Sequence, residues 1–298
     1  MSNGSTSPRR LLLIANPISG GGRGRLLAPQ LAAALAARSV HAEVHFTTAA
    51  GDARARAQKA GGEAWDGLVA IGGDGTVHEV LNGMPDPSRP LGTLPVGTAN
   101  VLALELGLPR RVDAAADVLA QGHVRRLAIG RCGEQRFLLF CGFGVDGEVV
   151  RAVAARRSGT LGKHKYLVPI AKTLWHWPRF ALRATLADGE VLDDLGMVLV
   201  TRVRGYGGVL RLPREVSPYS GVLHVLGFRH RARTAWLGLG LCGMTFGLRA
   251  GRNLVVRSTT SVLVDGTAPF QIDGDFGGSG PQRIGLEGAH AHILAPAR

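Results

Sequence analysis

The sequence is poor in cysteine, in aromatic residues and in long apolar runs, and each shortage excludes a class of protein. The three cysteines lie outside any CxxC spacing, which argues against a disulfide scaffold or a structural zinc site and favours a reducing cytoplasm. Aromatic residues make up only 5% of the chain, too few for a platform that stacks on single-stranded nucleic acid. No uncharged stretch is longer than residues 234–248, which fall short of the roughly 20 apolar residues that a membrane span needs.

Acidic residues are also few, and the chain is strongly basic. The 298 residues include 35 Lys and Arg but only 22 Asp and Glu, which gives a formal net charge of +13. Such a balance favours polyanionic partners, namely nucleic acid, an anionic membrane surface or phosphorylated small molecules. Hydrophobic residues, at 45%, are sufficient for a packed core and exclude a disordered chain. The length is about twice that of a typical domain, so one large or two moderate domains are expected.

Up to about residue 125, strand and helix patterns alternate. Short apolar runs predict strands at 11–15, 40–46, 67–71 and 91–94, and helices are predicted at 26–37, 53–60, 76–82, 99–106 and 113–120. Repeated β-α units with continuous apolar strands indicate a parallel sheet covered by helices on both faces. We therefore predict an α/β domain over residues 1–125.

Beyond residue 125 the pattern changes to short strands between Gly and Pro turns. Runs at 137–140, 195–201, 222–228, 254–257, 261–264 and 284–286 lack regular helices between them. This pattern predicts an antiparallel, β-sandwich-like domain over residues 126–298, whose last strand is a candidate to return to the first domain. Two segments, near 165–175 and at 235–246, are exceptions that look helical.

Three Gly-rich segments follow strands of the first domain. They are residues 16–22 (NPISGGG), 72–76 (GGDGT) and 95–100 (PVGTAN). A strand, a glycine turn and a helix in succession point backbone N–H groups and a helix N-terminus at an anion. In an open parallel sheet such turns line the carboxyl edge, where ligands bind. Glycines that only allow tight βα turns are the alternative, but three turns in register, one with an Asp and a Thr, favour a phosphate site.

Neither a Walker A motif nor a dinucleotide GxGxxG motif is present. The chain instead resembles the diacylglycerol kinase catalytic-domain family, lipid kinases that include bacterial diacylglycerol kinases and sphingosine kinases. The resemblance covers nearly the whole chain, and besides the three turns it rests on residues 142–146 (GFGVD), 206–208 (YGG) and 271–275 (QIDGD). GGDGT alone is shared with NAD kinases and, more loosely, phosphofructokinases, so the 95–100 and 271–275 elements make the match specific.

The resemblance implies an ATP- and Mg²⁺-dependent kinase that phosphorylates the hydroxyl of diacylglycerol or a related lipid. It also implies an N-terminal domain of the NAD kinase and phosphofructokinase type, followed by a β-rich domain on the lipid side. Asp74 would hold Mg²⁺, and Asp273 and Asp275 are the candidate catalytic residues, with Asp273 as the base for the lipid hydroxyl. A plain turn residue is the alternative interpretation of Asp273. The residues that would bind ATP are Asn16, Gly72, Gly73, Asp74, Gly75, Thr76, Gly97, Thr98 and Asn100.

Four positions depart from the family pattern and keep two alternative functions open. Val101 and Ala128 stand where the family often has Asp, Ser220 where it has an Asp beside a structural Mg²⁺, and Asp275 where it usually has Glu. Fewer carboxylates would thin the water shell around Mg²⁺, and the Ser220 loop is not expected to hold a metal. A non-catalytic or weakly active nucleotide- or lipid-binding member of the same fold is therefore one alternative. An NAD kinase is the other, and the 95–100 and 271–275 motifs disfavour it.

Two basic segments indicate a partner surface. Residues 151–183 contain eight Lys or Arg, no acid and four aromatic residues, and residues 202–233 contain seven Arg against Glu215. Cations beside interfacial aromatics suit an anionic bilayer, so we expect peripheral association with the membrane from the cytoplasm. Nucleic acid is not an expected partner, because no recognition motif accompanies the charge. A solvated basic face is the plain alternative, and a homodimer stays open.

Overall fold

A computed structural model describes residues 9–154, 180–207, 210–229 and 248–297. The helices predicted near 165–175 and at 235–246 lie outside the described residues, as does most of the basic segment 151–183. The described chain forms two compact units. The first contains residues 9–97, 106–126 and 291–297, and the second contains residues 98–105 and the described part of 127–290.

The helices and strands are numbered in chain order. The helices are α1 (Arg23–Ala36), α2 (Asp52–Lys59), α3 (Asp74–Gly83), α4 (Val101–Leu106), α5 (Val112–Gln121) and α6 (Val145–Ala154). The strands are β1 (Arg10–Ala15), β2 (His41–Phe46), β3 (Gly67–Gly72), β4 (Leu91–Pro95), β5 (Val124–Cys132), β6 (Gln135–Phe137), β7 (Phe140–Gly144), β8 (Leu182–Leu186), β9 (Val191–Leu195), β10 (Met197–Thr201), β11 (Gly205–Tyr206), β12 (Leu210–Arg211), β13 (Leu223–Phe228), β14 (Leu254–Thr259), β15 (Ser261–Asp265), β16 (Pro269–Ile272), β17 (Asp275–Ser279) and β18 (Gln282–Leu294).

The first unit is built on a parallel sheet in the order β2-β1-β3-β4. Alternate residues of β1, such as Leu13, join one buried cluster with Leu31 of α1 and Leu119 of α5. Leu12 and Ile14, which point to the opposite face of the sheet, are buried as well. Both faces of β1 are therefore covered, which explains why the strand reads as a continuous apolar run.

The second unit is built mainly on antiparallel strands in two large sheets, and β11 and β12 form a separate two-stranded sheet. One sheet has the order β14-β13-β10-β7-β16-β17, and β9, β8, β15 and the first part of β18 pair in the other. Phe143 and Val225 of the first sheet share a buried apolar cluster with Ala184 and Val262 of the second. The predicted fold class, a parallel α/β unit and an antiparallel, sandwich-like unit, is thus confirmed.

The last strand belongs to both units. Residues 282–285 of β18 pair antiparallel with β15, whereas Ile293 pairs parallel with Leu91 of β4. Within the described parts of the chain, no helix is long and apolar enough to cross a membrane.

Three details of the second unit differ from the sequence patterns. The single strand predicted at 137–140 is wrong, because the backbone N–H groups of Leu138 and Leu139 donate to the Asp273 side chain instead of extending a strand. The run at 195–201 is likewise two strands, β9 and β10, with Gly196 between them. The prediction that no regular helix lies between the short strands is wrong at α6, which follows β7 and buries Val145 and Val153.

Candidate active site

In the first unit, the three glycine turns lie together at the carboxyl edge of the parallel sheet. Asn16 follows β1 directly, and its backbone N–H donates to Ile71 O at 2.9 Å. Gly72 O accepts from Val96 N at 2.9 Å, which joins the second turn to the third. Gly20 of the first turn lies so near the third that a Cβ there would be 2.1 Å from Val96 O. Residues 16–22, 72–76 and 95–97 therefore form one surface, which we call the glycine edge.

The turn at 72–76 leads into the N-terminus of α3. Gly73 is the N-cap residue, and its carbonyl accepts from Thr76 N at 3.0 Å. Asp74 is the first helical residue and is half-buried, like Gly75, whereas Gly72 and Thr76 are buried. A glycine N-cap has no side-chain oxygen to offer the first turn of the helix, so the backbone N–H groups and the helix dipole there favour an anion. This arrangement suits phosphate oxygens.

The third turn is divided between the two units. Gly97 is half-buried, and its N–H donates to Gly72 O at 3.2 Å within the first unit. Thr98 is exposed and Asn100 is buried with a φ of 50°, and both belong to the second unit. Of the predicted nucleotide residues, the structure thus brings together Asn16, residues 72–76 and Gly97.

Asp74 is the one acid of the glycine edge and determines which metal site this edge can provide. Among the residues that the structure describes, no group of three or more His, Cys, Asp or Glu side chains could hold a metal ion. Mg²⁺ usually keeps several waters and binds through one or two carboxylates plus substrate phosphates. A single carboxylate beside a phosphate-binding turn fits that mode, and it does not fit a metal cage made of protein alone.

In the second unit, Asp273 and Gly274 are the central residues of the hairpin between β16 and β17. Their φ values of 49° and 92° are both positive, as a two-residue type I′ hairpin turn requires. An Asp-Gly pair is a strong sequence signal of such a turn. Residues 272–275, which we call the Asp273 turn, therefore form a tight hairpin turn, as the alternative interpretation of Asp273 predicts. Asp275 is half-buried and is the first residue of β17.

The Asp273 carboxylate is buried and accepts three backbone hydrogen bonds. Its Oδ1 accepts from Leu139 N at 3.0 Å and from Phe140 N at 2.9 Å, and its Oδ2 accepts from Leu138 N at 3.0 Å. Asp273 N in turn donates to Phe140 O at 2.9 Å. The carboxylate satisfies the N–H groups of the short connection between β6 and β7, which buried backbone requires. Asp273 therefore has a structural role, and the proposed proton transfer would come in addition to it.

A second buried carboxylate, Asp146, lies at the first turn of α6. Its Oδ2 accepts from Gln271 Nε2 at 2.7 Å, and its Oδ1 accepts from the Tyr206 hydroxyl. Gln271 Oε1 accepts from Gly274 N at 2.7 Å, within the Asp273 turn. We call the three side chains and the Gly274 N–H the Asp146 network.

Sequence patterns assigned no role to the Asp146 network, although its residues lie inside motifs of the family resemblance. The signal that could have found it is a polar residue in an apolar strand. Gln271 stands between Phe270 and Ile272 and is 1% exposed. A buried amide must find hydrogen-bond partners, so its position alone indicates a polar network in the second unit.

The surroundings of Asp146 shift its titration. Burial raises the pKa of the Asp146 carboxyl, and the hydrogen bonds from Tyr206 and Gln271 act against this shift. Burial and the nearby carboxylate raise the pKa of Tyr206 well above its ordinary value. Burial likewise raises the pKa of Cys141, and the neighbouring Cys132 and the charge of Asp146 add to this shift. Of these three titratable groups, only Asp146 has an ordinary pKa in the acid range.

The raised pKa of Asp146 gives a testable pH dependence of stability. The folded chain holds the Asp146 proton to a higher pH than the unfolded chain does, so this group lowers stability as the pH rises between the two pKa values. Asp146→Asn removes the titration. The free energy of unfolding of the wild type relative to Asp146→Asn is expected to fall as the pH rises from about 4, and then to level off. Urea unfolding at a series of pH values measures this difference, and a difference that grows with pH would contradict the shift.

The residues around Ser220 do not fit a structural metal ion. Arg202 is 1% exposed and donates from Nη1 to Val222 O and from Nη2 to Pro218 O, the latter at 3.0 Å. Ser220 Oγ donates to Ser217 O at 2.8 Å. Burial lowers the pKa of Arg202 to about 10, so the guanidinium stays charged at neutral pH. The loop carbonyls already accept from a buried cation, and a second cation beside it would be repelled.

Two further positions lack a carboxylate that the family often has. Val101 is the first residue of α4 and is buried, and Ala128 is half-buried on β5. Neither side chain can bind a metal ion or a water of its shell. Asp74 is therefore left as the single predicted metal ligand.

Comparison with solved structures identifies the class of fold. A crystal structure of a diacylglycerol kinase from Bacillus anthracis str. Sterne matches with a TM-score of 0.74 over 98% of both chains, at 21% sequence identity. A second structure from the same strain matches with a TM-score of 0.77 at 22% identity, again over 98% of both chains. The shared fold is an α/β unit with a parallel sheet and an antiparallel β unit.

Sequence comparison then identifies the family. Residues 10–132 match the family described as diacylglycerol kinase catalytic domain. A diacylglycerol kinase of Staphylococcus aureus (strain bovine RF122 / ET3-1) is 31% identical over 295 residues, which cover 97% of this chain and 93% of the relative. A diacylglycerol kinase of Bacillus subtilis (strain 168) is 28% identical, with 97% of each chain covered. The chain belongs to the diacylglycerol kinase family, and the names of its relatives support a kinase.

Proposed function

We propose that this protein is an ATP-dependent lipid kinase, which transfers the γ-phosphate of ATP to a hydroxyl of diacylglycerol or a related lipid. The observation that carries the proposal is the glycine edge, where three glycine turns meet beside Asp74 at the N-terminus of α3. Membership of the diacylglycerol kinase family supports the reaction and the class of acceptor.

The phosphates of ATP would bind at the glycine edge. Backbone N–H groups of residues 72–76 would donate to phosphate oxygens, and Asn16 and Gly97 would line the same surface. Asp74 would hold Mg²⁺ together with the phosphates, and the ion supplies positive charge to the transferring phosphoryl group. The positive end of the α3 dipole adds to this attraction. Thr98 and Asn100 stay predicted nucleotide residues of the second unit.

Asp273 and Asp275 are the proposed acidic residues for the lipid hydroxyl. A hydroxyl is a poor nucleophile at neutral pH, so a carboxylate that accepts its proton as the P–O bond forms contributes on the order of 10²–10⁴-fold. Three backbone donors hold the Asp273 carboxylate in one place, and a group held in position avoids the entropy cost of ordering it in the transition state. Asp275 would act more weakly, by orienting the substrate or the metal.

We propose that the protein docks on an anionic bilayer from the cytoplasm through the basic segment 151–183. Binding to anionic liposomes is expected to fall steeply with salt, because exposed charges are screened over about 10 Å at 0.1 M salt. Charge reversal at Arg156, Arg157 and Lys163 should weaken binding at low salt, whereas reversal at the exposed Arg110 and Arg111 of the first unit serves as the control. Liposome co-sedimentation measures both effects. Equal binding to neutral and anionic vesicles at every salt concentration would contradict electrostatic docking.

A non-catalytic nucleotide- or lipid-binding protein is the second candidate function. Two observations favour it. The Asp273 carboxylate already accepts three backbone hydrogen bonds, and Val101 and Ala128 replace carboxylates that the family often has. Such a protein would bind ATP at the glycine edge and transfer no phosphate.

One assay separates these functions. The full chain is incubated with γ-labelled ATP, Mg²⁺ and a panel of acceptors: diacylglycerol, monoacylglycerol, ceramide and sphingosine in mixed micelles, and NAD in solution. Label in a lipid supports the proposal and names the acceptor. ATP binding without label in any acceptor favours the binding protein, and label in NAD alone would overturn the lipid kinase assignment.

A further inference from the structure

Gln271 joins the buried carboxylate Asp146 to the Asp273 turn. Its Nε2 donates to Asp146 Oδ2 at 2.7 Å, and its Oε1 accepts from Gly274 N at 2.7 Å. Asp146 is 7% exposed and Gln271 is 1% exposed. Because the carboxylate needs a donor and the Gly274 N–H needs an acceptor, only one orientation of the amide satisfies both. The side chain of Gln271 is thus fixed at both ends.

A second route connects Asp146 to the same turn from the other side. The Tyr206 hydroxyl donates to Asp146 Oδ1, and the Tyr206 ring contacts the Phe140 ring with 5.2 Å between centroids. Phe140 N donates to Asp273 Oδ1 at 2.9 Å. Asp146 is therefore linked to the Asp273 turn by two routes. One ends at the N–H of Gly274 and the other ends at the carboxylate of Asp273.

The space for this network depends on the absence of a side chain at position 142. Gly142 pairs with Gln271 in the ladder between β7 and β16. A Cβ at position 142 would be 1.6 Å from Asp146 Oδ2 and 3.0 Å from Gln271 Nε2. Any other residue there would displace the carboxylate, so the sequence around β7 accommodates the Asp146 network.

Fold stability alone does not account for Asp146. In the described part of the chain, no cation contributes to the environment of its carboxylate, whose partners are the neutral Tyr206 and Gln271. Burying a carboxylate without a cation is costly, and well-packed apolar residues of similar volume are often at least as stable. A buried polar group kept at such a cost, with a perturbed titration, is typical of functional sites.

We infer that Asp146 is a positioning residue. Through Gln271 it holds the Asp273 turn in place for phosphoryl transfer. The inference rests on the proposed function, because it assumes that Asp273 acts on the lipid hydroxyl. A base must come within about 2.6–3.2 Å of the proton that it accepts. A displacement of about 1 Å can lower the rate about 10²-fold. The bond from Gly274 N to Gln271 prevents such a displacement of the hairpin tip.

The test uses four variants of the full chain and one control. Asp146→Ala removes the network. Asp146→Asn keeps it, since the asparagine oxygen can accept from Gln271 while its nitrogen donates to the Tyr206 oxygen. Gln271→Glu places two carboxylates against each other, and the double variant Asp146→Asn/Gln271→Glu restores a donor and an acceptor. Glu148→Gln, on the same helix and paired with Arg151 at the surface, is the matched control.

We expect a pattern of kcat values across the variants that differences in stability alone would not produce. Asp146→Ala and Gln271→Glu should each lower kcat per folded molecule about 10²-fold, with the dissociation constant of ATP unchanged. Asp146→Asn should keep most of the wild-type kcat, and the double variant should recover most of the kcat lost in Gln271→Glu. Glu148→Gln should resemble the wild type. The inference is overturned if Asp146→Ala keeps its kcat, or if the double variant is no faster than Gln271→Glu.

A readout without substrate separates this inference from the proposed function. Hydrogen exchange of the Gly274 amide, followed by NMR, reports the bond to Gln271 directly. Exchange should be faster in Asp146→Ala and Gln271→Glu and slow again in the double variant. If the wild type phosphorylates no acceptor but the variants show this exchange pattern, the lipid kinase proposal is refuted and the network is upheld. Gly274 exchange that is equal in all variants would refute the network.

Discussion

Asp74→Asn is expected to reduce lipid phosphorylation on the order of 10³-fold, because it removes the carboxylate that would hold Mg²⁺ against the phosphates. Asparagine keeps the size of the side chain and its place at the start of α3, so the charge is the main change. Binding of ATP should weaken when Mg²⁺ is present and should equal that of the wild type in EDTA. Isothermal titration with and without Mg²⁺, together with the labelled-ATP assay, measures both quantities.

The matched control for Asp74 is Asp113→Asn. Asp113 lies in the first turn of α5, in the same unit, and is exposed. Both variants lose the favourable interaction of an acid with a helix N-terminus, which is about 0.3–1 kcal/mol. Only Asp74→Asn should change ATP binding and turnover. If Asp74→Asn phosphorylates lipid at the wild-type rate, the assignment of the nucleotide site is wrong.

Asp273→Asn is expected to have two separate effects, on stability and on rate. An amide has one acceptor oxygen, so at least one of the backbone N–H groups of Leu138, Leu139 and Phe140 would lose its acceptor and face an NH₂ group. The loss of a buried charge-assisted bond should lower the free energy of unfolding by about 3 kcal/mol. If Asp273 is also the base, kcat per folded molecule should fall about 10²–10⁴-fold. Urea unfolding and kcat corrected for the folded fraction separate the two effects.

Two variants serve as controls for Asp273→Asn. Asp194→Asn makes the same change at another aspartate with positive φ, 59°, which is exposed in the second unit. It should alter neither stability nor rate, because asparagine tolerates that backbone conformation. Asp275→Asn should lower kcat less than Asp273→Asn does. A stability loss in Asp273→Asn with full kcat per folded molecule would show that the motif serves the fold and not proton transfer.

Local sequence patterns predict the first unit closely. A parallel strand covered on both faces must be apolar throughout, so β1 and β3 appear as uninterrupted runs, Leu11 to Ala15 and Gly67 to Ile71. The turns between strand and helix carry glycines at the positions that the structure brings to one edge. Local patterns suffice here, because consecutive β-α units place every turn at the same end of the sheet.

The candidate acids of the second unit were visible in the sequence, but their partners were not. Asp-Gly at 273–274 indicates a tight hairpin turn because both residues accept a positive φ. The apolar run at 137–140 predicts one strand, and the structure interrupts it because a carboxylate 135 residues away accepts the Leu138 N–H. No local pattern contains that information, since the competitor for the hydrogen bond arrives through the topology.

Which buried polar groups meet depends on how the strands assemble and cannot be predicted from local patterns. Asp146 and Gln271 are 125 residues apart in the chain, yet Asp146 Oδ2 and Gln271 Nε2 are 2.7 Å apart. Glu105 likewise accepts from Arg204 N and Gly205 N, about 100 residues away. Residues 101–105 of α4 belong to the second unit, although the β-α pattern assigns this helix to the first. Sequence periodicity reports whether a residue faces water or apolar neighbours. It does not report which donor faces which acceptor, because that depends on strand order and register, and these are fixed only when the sheets assemble.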